Sequence, residues 1–178
     1  MTNEIIITGF GGQGVLSMGK ILAYAGLLDG LEVTWMPSYG PEQRGGTANV
    51  TVILSDEPIS SPVLDQYDVA VILNQQSLDK FESHVKPGGT LIYDPYGINR
   101  LPQRTDIKVV EVKATEAAVE TGNMKTFNML LLGALLKLFP MVSSDTVIEG
   151  LKKTLPERHH HLIPLNREAI EKGASLVK

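Results

Sequence analysis

The chain contains no cysteine. That excludes disulfides, thiolate metal sites, iron–sulfur clusters held by this chain and a cysteine nucleophile. It agrees with a reducing compartment, and a cytoplasmic protein is expected. Long hydrophobic runs are missing too. The most apolar window, Met129–Phe139, is interrupted by Lys137 and is too short to span a bilayer. The opening MTNEIIITGF has neither the basic region nor the apolar core of a signal peptide. Positive charge is not in excess: the net charge is −4, which argues against a general nucleic-acid binder. Basic residues gather only near Lys152, Lys153 and Arg158, beside His159, His160 and His161. No internal repeat or low-complexity tract occurs. With 178 residues, one domain over 1–178 is expected, large enough to bury a core without staples.

What is present is glycine in two places. The first is Gly9-Phe10-Gly11-Gly12-Gln13-Gly14, between the apolar run EIIIT and a helical pattern. Such a loop leaves backbone N–H groups uncovered at a helix N-terminus, the chemistry of an anion or phosphate site. The second is Ser38-Tyr39-Gly40-Pro41-Glu42-Gln43-Arg44-Gly45-Gly46. There a single arginine sits between a Gly-Pro turn and a Gly-Gly pair. A guanidinium so held is a bidentate donor for phosphate or carboxylate. The plainer reading of Arg44 is an ion pair with Glu42 or a subunit contact. The plainer reading of the first loop is a tight turn with close helix–strand packing.

Periodicity predicts strands at residues 4–8, Glu32–Met36, Thr47–Ser55, Asp68–Leu73, Thr90–Tyr93 and Ile107–Val112. It predicts helices at Val15–Leu28, Gln75–His84, Ala114–Thr121, Phe127–Phe139, a segment capped by Ser144 or Asp145 and running to Leu155, and Leu165–Leu176. Lys86–Gly89 reads as a turn. Gly19, Ala23 and Gly26 would let the first helix lie close on the sheet. The alternation argues an α/β fold: a three-layer, Rossmann-like, mostly parallel sheet flanked by helices. The first glycine loop then lies at the carboxyl edge of the sheet, where such folds bind ligands.

The first loop satisfies G-x-G-x-x-G, yet its usual partner is missing. A dinucleotide site wants an acid at the end of the second strand. Here that strand runs into Trp35, Met36, Pro37 and Ser38, and Glu32 stands at its beginning. No Gly-Lys-Ser/Thr follows the glycines, so a P-loop is excluded. The histidine triplet suggests a metal, but adjacent side chains diverge and no matching partners exist; a solvated turn after Pro156 is expected. Asp65 and Asp68 read as ordinary loop carboxylates. Asp94, at a carboxyl edge, either approaches a ligand or caps a turn. Gln13 is expected to cap its own loop rather than touch a ligand.

GFGGQGV and SYGPEQRGG, followed by NVTVILS, together resemble the gamma subunits of the 2-oxoacid:ferredoxin oxidoreductases. DVAVILNQQSLDKF, GGTLIYD and NMLLLGALL extend the resemblance over most of the chain. PEQRGGTANVTVILSDEPISSPV is most similar to gamma subunits acting on 2-oxoglutarate or related 2-oxoacids. The resemblance implies the reaction of a 2-oxoacid, coenzyme A and oxidised ferredoxin to acyl-coenzyme A, carbon dioxide and reduced ferredoxin. It implies alpha and beta subunits holding thiamine diphosphate with magnesium, iron–sulfur clusters on partner chains, and a ferredoxin-like delta subunit. This chain has no thiamine-diphosphate motif, so it is not expected to catalyse the reaction alone. The resemblance implies a part in coenzyme A access, and phosphate chemistry places coenzyme A or a phosphate at Gly9, Gly11, Gly12, Gln13, Gly14 and Arg44, with a partner carboxylate the alternative for Arg44. The resemblance points to a subunit interface at Ser38, Tyr39, Gly40, Pro41, Arg44, Gly45 and Gly46. Asn128 and Gly133 match the family pattern, and a helix start with close packing explains both. Two alternatives stay open: a free-standing nucleotide-binding reductase, and a purely structural assembly subunit.

Overall fold

The apolar run after the N-terminus folds as β1 (Thr2–Phe10), and the glycine loop turns it into α1 (Val15–Leu28). The computed structural model describes residues 1–39 and 46–178. β2 (Glu32–Tyr39) and β3 (Thr47–Ser55) follow, then β4 (Tyr67–Ile72), α2 (Gln75–Phe81), β5 (Val85–Tyr93) and β6 (Lys108–Glu111). The chain ends with α3 (Ala114–Glu120), α4 (Phe127–Leu138), α5 (Ser144–Thr154) and α6 (Ile163–Ser175). No helix among the described residues is long and apolar enough to cross a membrane.

The six strands form one sheet in the order β2-β3-β1-β4-β5-β6. β1, β4, β5 and β6 run parallel. β3 is antiparallel to both neighbours, with Thr2 opposite Ser55 on one side and Glu32 opposite Ser55 on the other. The sheet is therefore mostly parallel, as expected. The crossover from β1 through α1 to β2 skips one position, and β3 fills it. Glu32 lies at the rim opposite the glycine loop, so it is no ribose acid.

Strand alternation divides the core. Ile5, Ile7, Val69, Val71 and Ile92 face α1, α3, α4, α5 and α6 in the larger cluster. Ile6, Ala70, Ile72, Leu91 and Tyr93 face α2 in the smaller one. The layers are thus unequal, with five helices on one face and a single short one on the other. β4 is buried on both faces, which is why its sequence is a continuous apolar run.

Small residues set the distances between elements. A Cβ at Gly19 or Gly26 would meet Val50 or Leu54 of β3, so α1 lies directly on the sheet as its composition predicts. A Cβ at Gly133 would strike the Ile170 carbonyl, and one at Gly173 the Leu130 carbonyl. α4 and α6 therefore touch backbone to backbone. Leu130, Leu131, Leu132 and Leu135 are buried around that seam, each contributing about 1.5–3 kcal/mol on burial.

Most other boundaries move by a residue or a few, and three differences change the reading. Lys86–Gly89 lies inside β5 as an irregularity, since Tyr67 pairs with Val85 but Val69 pairs with Thr90. The cap of α5 is Ser143, whose hydroxyl accepts from the Thr146 amide at 3.1 Å, not Ser144 or Asp145. The helix expected over Gln75–His84 is α2 plus a short 3-10 turn, Glu82–His84. Glu82 is held there by its own acceptors. It takes the Arg104 amide at 3.0 Å and Arg100 Nη1 at 2.9 Å, and also the Gln103 amide. Burial pushes its carboxyl up, but these bonds outweigh it, and the net shift is downward.

Candidate functional site

The glycine loop sits at the rim where β1, β4 and β5 end. Its members have different tasks. Gly9 is buried in β1, and a Cβ there would meet Gln13 and Leu73. It makes room for the Gln13 side chain, whose Oε1 accepts from the Phe10 amide at 2.6 Å. Gln13 thus closes its own loop, as expected. The Gly11 amide donates to the Gly46 carbonyl at 2.9 Å, and the Gln13 amide to Phe10 at 3.3 Å. Those two donors are engaged within the protein. Among the described residues no acceptor meets the Gly12 or Gly14 amide. Both residues have positive φ, +93° and +76°, which turns the chain sharply into α1. No atom of the described residues lies within 4 Å of the place a Gly12 Cβ would occupy, so among them that backbone is open to an approaching group.

Two cavities meet at this loop. One, of about 670 Å³, is lined by Phe10, Val15, Leu16, Trp35 and Pro37 with Gly46–Ala48 closing one side. The other, of about 330 Å³, is lined by Gln13, Tyr96, Thr115, Met124, Lys125 and Asn128. Gly12 and Gly14 belong to both. No carboxylate lines either cavity, and Lys125 is the one charged residue lining them, among the described residues. An anion with an apolar extension suits such a pair of cavities. Lys125 and Asn128 were not singled out as ligand contacts by the sequence. For Asn128 the signals were its match to the family pattern and its place as a polar residue opening an otherwise leucine-rich helix, both explained equally by packing; Lys125 carried none.

Gly40, Pro41, Glu42, Arg44 and Gly45 lie outside the described residues, so neither role expected of Arg44 is placed. Their flanks are described. Ser38 is exposed near the end of β2, Tyr39 pairs with Ala48, and Gly46 accepts from Gly11. Trp35 and Met36 of β2 are also exposed.

The remaining candidates resolve as structural. Asp94 is buried and accepts from the Tyr96 amide at 3.1 Å and the Thr115 amide at 2.9 Å, and also from the Thr115 hydroxyl. It caps the turn after β5 and the start of α3. Tyr93 donates to Glu111 at 3.0 Å. Burial first, and then the Glu111 carboxylate, push its phenol up to about 12, so it stays neutral at ordinary pH. Asp68 is not a loop carboxylate: it lies on β4, accepts from the Glu4 amide at 2.9 Å and pairs with Lys86 at 2.8 Å. Asp65 lines a separate open cleft with Glu4, His84 and Lys86 at the opposite rim. His160 Nε2 lies 2.9 Å from the Leu155 carbonyl and 3.1 Å from that of Lys152, so its N–H caps the end of α5. His161 bonds the Arg158 carbonyl at 3.0 Å. No cluster able to hold a metal forms among the described residues.

Comparison with known proteins gives this arrangement a context. Residues 4–176 match the family described as pyruvate ferredoxin/flavodoxin oxidoreductase. The ketoisovalerate oxidoreductase subunit VorA of Methanothermobacter marburgensis is 37% identical over 172 residues, 96% of this chain and 36% of that protein. The chain thus spans about a third of the length of that relative. Among solved structures, the gamma subunit of a keto/oxoacid ferredoxin oxidoreductase from Geobacter sulfurreducens superposes with a TM-score of 0.81 at 31% identity, over 97% of this chain and 96% of that one. The 2-oxoglutarate:ferredoxin oxidoreductase of Magnetococcus marinus, solved with 2-oxoglutarate, coenzyme A and succinyl-CoA bound, gives a TM-score of 0.88 at 29% identity, over 98% of this chain and 31% of that one. With the family matched over nearly the whole chain and a gamma subunit matched over nearly its full length, this chain belongs to the pyruvate ferredoxin/flavodoxin oxidoreductase family, as a gamma-subunit domain of the 2-oxoacid:ferredoxin oxidoreductases.

Proposed function

We propose that the chain works in a complex that oxidatively decarboxylates a 2-oxoacid to an acyl-coenzyme A, and that its part is to hold coenzyme A. The observation that carries this is the pair of Gly12 and Gly14 amides, which meet no acceptor among the described residues, on a loop shared by two cavities that no described carboxylate lines. Coenzyme A carries a pyrophosphate, a ribose phosphate and a long, largely uncharged arm. The Gly12 and Gly14 amides and the dipole of α1 suit a phosphate. Lys125 supplies a cation on one side, and Phe10, Leu16 and Trp35 supply apolar surface on the other. Each charge-assisted contact contributes roughly 1.5–3 kcal/mol.

The chemistry of the acyl transfer belongs to the bound groups of the complex. Two electrons leave the 2-oxoacid for ferredoxin, carbon dioxide departs, and the coenzyme A thiol gives up its proton as its sulfur takes the acyl group. This chain has no redox centre of its own and no thiamine-diphosphate motif, so its residues bind and orient. 2-Oxoglutarate is the first substrate to test, on the spelling of residues 41–63.

A free-standing reductase is disfavoured by the end of β2, which offers Pro37 and Ser38 where a ribose acid would be needed. A purely structural subunit would leave coenzyme A dependence untouched by changes at the loop. Reconstitution separates these readings. The highly purified chain should not oxidise 2-oxoacids with ferredoxin or viologen, and activity should appear with matching alpha and beta subunits. Turnover by the chain alone would overturn the assignment. Coenzyme A dependence that ignores every change at Gly12 and Lys125 would leave the chain a structural role only.

A further inference from the structure

Asn128 stands 114 positions from Gly14 in sequence, yet the two are in contact. Its Nδ2 donates to the Gly14 carbonyl at 3.4 Å, the same carbonyl that accepts the Met18 amide at 2.9 Å to open α1. The contact is closer than that bond implies. A Cβ built on Gly14 would lie 2.5 Å from Asn128 Nδ2, 2.8 Å from its Cγ and 3.0 Å from its Cβ. The amide therefore fills the space directly over the residue at which the loop turns into α1.

Asn128 is itself firmly based. It is the second residue of α4, and the next seven residues, Met129–Leu135, are all buried. The seam at Gly133 and Gly173 ties α4 to α6 through their backbones. Lys125, just before α4, lines the same cavity as Asn128 and the glycine loop. One side chain thus links a fixed helix, a cation and the left-handed residue of the loop.

We propose that Asn128 is a positioning residue for the anion site. It holds Gly14, and through it the Gly12 and Gly14 amides, where they meet a phosphate, and it sets their distance from Lys125. The inference rests on the coenzyme A reading above. Packing alone requires only bulk over Gly14; positioning also requires the donor to its carbonyl.

The test uses complexes reconstituted with wild-type, Asn128→Ala and Asn128→Leu chains. Leucine keeps the bulk and removes the donor; Asn128→Val replaces it if the leucine chain does not fold. Lys137→Ala, further along α4, is the control. KM for coenzyme A should rise roughly tenfold in the Asn128 variants, the equivalent of one hydrogen bond, with kcat at saturating coenzyme A and KM for the 2-oxoacid nearly unchanged. Amide exchange in the full-length chain should quicken at Gly12–Val15 without a matching change in the β4 amides. A coenzyme A KM equal to wild type in every folded Asn128 variant overturns the proposal, whatever happens to stability. If Gly12→Asn and Lys125→Ala complexes also keep the wild-type coenzyme A response, the coenzyme A reading itself has failed.

Discussion

Replacing Gly12 separates a ligand contact from a mere turn, provided backbone strain is measured beside it. At φ +93° any L side chain is strained, even though no described residue lies within 4 Å of the new Cβ. The strain of forcing alanine into left-handed backbone is about 1–2 kcal/mol. For a chain of this size that lowers Tm by roughly 2–8 °C. Gly30 gives the matching control. It has φ +78° and is equally free of neighbours, but it follows the far end of α1. Gly12→Ala and Gly30→Ala should therefore destabilise the isolated chain alike. They should differ in the complex. A Cβ at Gly12 intrudes where a phosphate would sit, so KM for coenzyme A should rise roughly tenfold to a hundredfold, the loss of one charge-assisted contact. Gly30→Ala should leave it unchanged. Gly12→Asn, which tolerates positive φ better, should regain some stability without regaining coenzyme A affinity. The measurements are melting curves of each chain and coenzyme A titrations of each complex. If Gly12→Ala and Gly30→Ala melt alike and respond alike to coenzyme A, no phosphate sits on this loop.

Other changes test the frame around the site. Glu82→Gln should destabilise the chain at pH 7 by about 1.5–3 kcal/mol, because Arg100 and the Gln103 and Arg104 amides lose a charged acceptor. The Glu82 carboxyl is lowered from its usual 4.5, so its contribution is present above that pH and lost as pH falls through the folded value. Acid melting series of wild type and variant should converge as pH falls below the usual carboxylate range, and curves that stay parallel into acid would refute this. Tyr93 runs the other way. Its phenol is raised from 10 to about 12, so stability is intact below pH 10 and declines as pH climbs toward 12. Over that span the loss is about 3 kcal/mol at most, and Tyr93→Phe should abolish that part of the alkaline decline in chemical denaturation. Asp94→Ala strips the acceptor from three donors and should cost about 3 kcal/mol, with a Tm fall of roughly 6–12 °C. An Asp94→Ala chain that melts like wild type would show that the α3 start is held by something else.

Local signals were legible in the sequence, and partners distant in sequence were not. Val15–Leu28 and Thr47–Ser55 were readable to their ends, because a glycine turn opens the first and polar residues bound the second. Gln13 was readable as a loop cap because its amide is three residues from the backbone it meets. The insertion of β3 between β1 and β2 was not readable, since each strand carries an apolar pattern but no label for its neighbour. Lys86–Gly89 has the composition of a turn, and it lies within a strand only because its flanks, Val85 and Thr90, both pair with β4. Asp68 looked like a loop acid until Lys86 and the Glu4 amide were brought to it. Asn128 and Lys125 escaped notice as site residues for the same reason: their meaning depends on Gly14, far away along the chain.

The reversed strand has a consequence for how this rim can change. Because β3 runs against its neighbours, the rim holds the exits of β1 and β2 and the entrance of β3, and a connection between adjacent antiparallel strands starts and ends on one rim. Lengthening such a connection is cheap, about 0.6 kcal/mol for each doubling of its length. The glycine loop has no such freedom. One residue added between Gly14 and α1 would swing the whole helix by about 100° and drive its polar side into the core. The two halves of the rim are thus unequal as material for change: one can be rewritten residue by residue, and the other is fixed to the geometry of the helix behind it.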